Sequence, residues 1–205
     1  MPPKPKITRD MIVRAGFDIV RKEGEQSLNV RKVAAALGCS TQPVMYHFST
    51  VYDLKAAVYE YADNFHTEYI LTPDESIEDR FLCIGIRYLR FAYEEKKLFR
   101  FIFQSGHFKN VGLHELIDSD YTAPVMKPLC EKTGLTEAQA KEIFGSLFIC
   151  VHGAADLLAN NSFDYDEEYF KRLLKNTLNG LVMVARYDIR STDQINGGEQ
   201  YGNCC

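Results

Sequence analysis

The run Ser40-Thr41-Gln42-Pro43, with Tyr46 and His47 one turn on, gathers hydroxyl, amide, phenol and imidazole groups within eight positions. Small and hydrogen-bonding side chains at the start of a helix are what the major groove of duplex DNA admits, and they match the donors and acceptors on base edges. Bond-making chemistry has no comparable signature. The chain contains no G-x-x-x-x-G-K, G-x-G-x-x-G, H-E-x-x-H or G-x-S-x-G pattern, so phosphate cradles, zinc-protease sites and nucleophile elbows are not expected. His107 and His114 stand seven apart with only Glu115 at metal-ligand spacing, and the acids of Asp164-Tyr165-Asp166-Glu167-Glu168 suit a solvated helix start. The expectation is no enzyme, no cofactor and no metal.

The elements needed to present that cluster can be read on both sides of it. Thr8 can cap a first helix running to about Glu23, with Gly24 as its stop. Asn29 can cap a short second helix in which Val30, Val33, Ala34 and Leu37 form one buried stripe. Gly38 follows as a C-terminal stop. Ser40 then caps a third helix, with Pro43 in the first turn where its missing N–H costs nothing. Thr50 and Asp53 form a capping pattern for a fourth helix over about 51–70. Helix, glycine turn and helix over 30–48 is helix-turn-helix spacing. Val33, Ala34, Leu37, Val44 and Phe48 can fill the joint, which leaves Thr41, Gln42, Pro43, Tyr46 and His47 facing outward. Any two packed helices of a bundle would fit the same spacing.

Beyond Pro73 the helical period continues. Ser76 with Asp79 predicts a helix over 77–94, aromatic-rich segments follow at 96–105 and 114–132, and Thr136 with Gln139 opens a long helix to about Asn160. A last helix is predicted over 166–187, then a polar, mobile tail over 190–205. The expected fold class is all-α, with about nine helices: a three-helix head and a helical ligand-binding and dimerisation body. Residues 1–54 form the expected head, 55–189 the body and 190–205 the tail.

Charge separates these parts. Residues 1–48 hold eight Lys/Arg and four acids, a net +4, and the rest carries −8. A basic head on an acidic body suits a polyanion at one end only. Hydrophobic residues at 46% and charged residues at 25% are globular values. Neither an unbroken apolar run of spanning length nor a signal-peptide pattern is present, so a cytoplasmic protein with no membrane partner is expected. Six irregularly spaced cysteines then read as free thiols.

Residues 8–58 resemble the DNA-binding head of the tetracycline-repressor-like (TetR) family, through the run VRKVAAALGCSTQPVMYHF followed by DLKAAV. The resemblance implies base-facing roles for Thr41, Gln42, Pro43 and Tyr46, and phosphate-facing roles for Ser40, His47 and Arg31. Gln42 could then read an adenine edge in bidentate fashion and Pro43 could touch a thymine methyl. Two positions depart from the family: Met45 stands for its usual Tyr and Val51 for its usual Lys, both phosphate grips. Lys55, one turn beyond Val51, is a candidate substitute, as are Lys4, Lys6 and Arg9. Family likeness also implies a ligand cavity among the middle helices, with Phe81, Tyr88, Phe91, Phe103 and Met126 as apolar lining and His107 and His152 as polar groups. The apolar faces at 143–158 and 170–185 predict a homodimer. The expected function is a ligand-responsive transcriptional regulator, a repressor by the family's common mode, binding a pseudo-palindromic double-stranded operator. The alternative is a helical protein–protein interaction module with an impaired head.

Overall fold

The computed structural model describes residues 7–106, 113–118 and 122–197. Among them the chain is all-α, and three of the first four helices start where a side chain satisfies a free amide. Thr8 accepts the Met11 N–H at 3.3 Å and opens α1 (Arg9–Glu23). A short 3-10 turn (Glu25–Ser27) leads to α2 (Val30–Ala36), where Asn29 accepts the Lys32 N–H at 2.9 Å. Next comes α3 (Thr41–His47). Ser40 stands at its N-cap with extended backbone, yet its side chain makes no capping bond, unlike the expectation. α4 (Val51–Leu71) begins with the predicted reciprocal box, Thr50 and Asp53 exchanging two bonds of 3.0 Å.

The later elements are α5 (Arg80–Glu94), α6 (Lys96–Phe103), α7 (Leu113–Asp118), α8 (Ala123–Thr133), α9 (Glu137–Asn160) and α10 (Glu167–Gly197). Three details refine the sequence reading or differ from it. Ser76 does not cap α5: it bonds Asp74 in a local turn, and Asp79 caps instead by accepting the Leu82 N–H at 3.0 Å. The aromatic-rich segment over 114–132 carries two helices, α7 and α8, and Pro124 stands in the first turn of α8, where its missing N–H costs nothing. The last helix runs to Gly197, past the expected end near Tyr187. Between Leu181 and Asn196 there is no Gly or Pro to stop it, and polarity alone does not break a helix.

The chain divides into two compact units. The first comprises Met1–Thr72, Arg87–Asn110 and Ala155–Tyr165. Within it α1 lies against both α4 and α6. Phe17 of α1 meets the Tyr61 and Phe65 rings edge-on at 5.1 and 5.2 Å. Arg21 forks onto Glu95, its Nε 2.9 Å from each carboxylate oxygen. Helices approach closely only where a side chain is missing, and Gly16 supplies that gap: a Cβ there would stand 2.6 Å from the Val58 Cγ2.

The second unit comprises Pro73–Ile86, Val111–Ala154 and Asp166–Cys205. Its core joins Met126 and Leu129 of α8, Ile143, Phe144 and Leu147 of α9 and Leu178 of α10, with Phe81 and Phe148 packed against it. Lys132 pairs with Asp79, and Arg186 donates to the Thr133 carbonyl at the end of α8, 2.7 Å away. The reciprocal Thr136–Gln139 cap forms as expected. By length and composition α9 could cross a membrane, with a mean hydropathy of 1.5 over its most apolar window. Its Ile143, Phe144 and Leu147 are nonetheless spent on this core.

Replacing Gly16 by Val should force α1 from α4 and cost about 1–3 kcal/mol, the usual range for overpacking a filled core. Urea unfolding measures it as a lower midpoint at unchanged slope; an unchanged midpoint would mean the helices have slack at this crossing.

Candidate nucleic-acid interface

The joint that aims α3 is built from the end of α2. The Gly38 N–H bonds the Ala35 carbonyl at 3.1 Å and the Cys39 N–H bonds the Ala34 carbonyl at 3.0 Å, a complete Schellman closure. It requires the left-handed backbone at Gly38, where φ is +62°. Chain direction therefore changes within three residues, and α3 leaves across α2. Val33, Ala34, Val44 and Phe48 are buried at this joint as expected, whereas Leu37 stays half-buried.

Outward from the joint stand Ser40, Thr41 and Gln42, all exposed, with Pro43 half-buried. Tyr46 is the most prominent, 85% exposed, its ring edge-on to His47 at 5.3 Å. His47 has a further contact that the sequence does not signal: its Nε2 lies 3.1 Å from the Ile7 carbonyl. Arg9 stacks its guanidinium over the Phe48 ring, 5.1 Å from the centroid. Both contacts hold the start of the chain against the end of α3. Lys4 and Lys6 lie outside the described residues.

Two of the head's cations, Arg21 and Lys32, and Lys55 just beyond it are already answered by carboxylates. Lys32 pairs with Glu23, and Lys55 is held by Glu25 at 2.8 Å with both side chains half-buried. Arg14 and Arg31 are exposed and make no ion pair among the described residues. The two departures from the family pattern are both on the surface, Met45 being 45% and Val51 42% exposed, and Tyr52, next in sequence to Val51, is exposed as well. Tyr52 was not singled out in the sequence.

The residues expected to meet a ligand are distributed over both units. In the first, Tyr88, Phe91 and Phe103 close around His66 of α4, with ring centroids 5.3, 4.8 and 5.1 Å from the imidazole. His66 is 2% exposed. Sequence reasoning missed it, although every fourth residue of α4 back from it (Ala62, Val58, Leu54) is buried. On the same helix burial, with Asp63 nearby, pushes the Tyr59 phenol up to about 12. Burial and a 2.7 Å bond to Glu94 also raise Tyr69, so both phenols remain protonated donors at neutral pH.

In the second unit Met126 is buried in the core, Phe81 packs against it and His152 stacks on Phe148 at 5.4 Å. His107 lies outside the described residues. A cavity of about 300 Å³ is lined by Ile117, Asp118, Lys141, Glu142, Gly145, Ser146 and Ile149, and none of the expected ligand residues borders it.

No family model matches the sequence, and no curated protein matches it. Solved structures do match the fold. A TetR-family transcriptional regulator from Streptomyces coelicolor superposes with a TM-score of 0.64 at 17% identity, covering 88% of each chain. A putative TetR-family regulator from Mesorhizobium loti gives 0.57 at 18%, covering 87% of this chain and 98% of its own. The multidrug-binding protein EbrR, complexed with imidazole, gives 0.54 at 19%, covering 82% and 88%. The fold is therefore that of TetR-family transcriptional regulators.

A Cβ at Gly38 would meet nothing within 4 Å, so its substitutions isolate backbone strain. Gly38→Ala should lose about 1–2 kcal/mol in urea unfolding, and Gly38→Asn distinctly less, because Asn tolerates the left-handed region. Equal losses would place the cost outside the backbone angle.

Proposed function

We propose that this chain, built on the TetR-regulator fold, is a cytoplasmic, ligand-responsive DNA-binding transcriptional regulator that acts as a homodimer on a pseudo-palindromic operator. The observation that carries the reading is the exposed row Thr41, Gln42 and Tyr46 on a short helix aimed by a glycine turn. In this reading residues 1–54 read DNA and 55–189 bind effector and partner. Thr41, Gln42, Pro43 and Tyr46 face bases. Ser40, His47 and Arg31 face phosphates, with Lys55 added when it is released from Glu25.

Dimerisation is supported by large apolar side chains left exposed on the last two helices: Ile149 on α9, and Met183, Val184 and Tyr187 on α10. Two heads on one two-fold axis would read the half-sites of an inverted repeat. Repression follows if the operator overlaps the start of transcription.

Effector response is supported by the length of α4. One continuous helix carries Val51 beside the reading helix and, four turns on, His66 within the ring cluster of Tyr88, Phe91 and Phe103. A small molecule that parts those rings moves α4, and with it the spacing of the two heads. It shifts the equilibrium only by the difference between its affinities for the two states. The likeness to EbrR, a multidrug-binding protein, suits an effector of apolar, aromatic character.

A second reading, a helical protein–protein module with an impaired head, is favoured by one observation. Met45 and Val51 are exposed apolar side chains where the family pattern has phosphate grips.

Selection of duplexes from a random pool, with sequencing of the bound fraction at two salt concentrations, separates the readings. A regulator enriches an inverted repeat and loses affinity steeply as salt rises. Folded, dimeric protein that binds no duplex, or binds without salt dependence, supports the module instead. On the enriched site Gln42→Ala should lose about 1–3 kcal/mol and relax preference at one base position. A loss spread evenly over all sequences would remove Gln42 from the base readers.

A further inference from the structure

We infer that Glu25 is a built-in brake on the head's affinity for DNA, competing with backbone phosphate for Lys55. The inference rests on the DNA-binding reading above and names a residue that regulates the same surface. Lys55 lies on the second turn of α4, one turn beyond the exposed Val51, and α4 begins four residues after the reading helix ends. Glu25 lies in the 3-10 turn that leads into α2, six positions before the exposed Arg31. Their 2.8 Å ion pair thus ties the approach to α2 to the first turns of α4, on either side of the helix pair that presents Gln42.

The pair borders solvent, the Lys55 and Glu25 side chains being 26% and 29% exposed. An ammonium on a flexible four-carbon stem can exchange one oxygen anion for another without rearranging the fold. The competition matters because the head has few cations to spare. Among the described residues Lys32 is paired with Glu23 and Arg21 with Glu95, which leaves Arg14, Lys22 and Arg31 without a carboxylate and Arg9 over an aromatic ring. Each phosphate contact adds to affinity for every sequence alike. By withholding Lys55, Glu25 lowers sequence-independent binding and leaves a larger share of recognition to the base-facing residues of α3.

The test uses the full chain and a fluorescent random-sequence duplex, with anisotropy read over a salt series. Glu25→Gln should bind more tightly than wild type, and its dependence of log affinity on log salt should steepen by about 0.9, the increment for one added phosphate contact. In a Lys55→Gln background the same substitution should leave the slope unchanged. An equal slope for wild type and Glu25→Gln overturns the inference while leaving the DNA-binding reading intact. Equal steepening with and without Lys55 overturns it too, since the charge would then act at a distance. Failure of all four proteins to bind duplex, wild type included, defeats the DNA-binding reading and the brake with it.

Discussion

Helices of seven residues do not persist in water by themselves, and both α2 and α3 are that short. Their orientation depends on the apolar joint beneath them, where Ile12, Val33, Val44 and Leu54 are all fully buried. That joint constrains everything outward of it. The glycine turn sets the angle at which α3 leaves α2, the angle decides which side chains of α3 are covered, and the uncovered ones include the hydrogen-bonding Thr41, Gln42 and Tyr46. A side chain lost from the joint would disturb all the outward groups together, because all of them ride at the start of or along α3, whose direction the joint sets.

The head's charges follow a different logic. A basic segment of the sequence does not translate directly into positive surface, because folding brings Glu95 and Glu23 onto two of its cations, Arg21 and Lys32, and sets Glu25 on Lys55 just beyond it. Partly exposed ion pairs of this kind contribute little to stability, about 0–1 kcal/mol each. Their larger consequence is for binding: they decide how many cations remain for a polyanion. Exposed Met45 and Val51 act in the same direction. On the proposed reading, α3 offers base edges a row of hydrogen-bonding groups beside a sparse set of unpaired cations, a combination that would favour discrimination over raw affinity.

Local signals were readable in the sequence and distant ones were not. Thr8, Asn29, the Thr50–Asp53 box and the Thr136–Gln139 box each bind amides within three residues of themselves, so spacing alone located them. Gly38 was likewise identifiable, since a stripe ending in glycine leaves few other conformations. Ser76 misled because its pattern to Asp79 is that of a cap, while Asp74 two residues earlier was the nearer partner. The polar stretch after Tyr187 gives no local sign of where the helix ends, because low hydrophobicity by itself breaks no helix. His66 could have been found from the every-fourth-residue stripe of α4. The Lys55–Glu25 and His47–Ile7 contacts could not, since they join positions 30 and 40 residues apart.

The central claim is that DNA meets the outward face of α2 and α3 and no other surface of the first unit. Amide hydrogen exchange, followed by mass spectrometry with and without a bound duplex, tests it most directly. Slowed exchange concentrated in peptides covering the start of α2, the glycine turn and α3 is the predicted result. Protection that spares residues 29–48 and appears instead along α5 or α6 would contradict it.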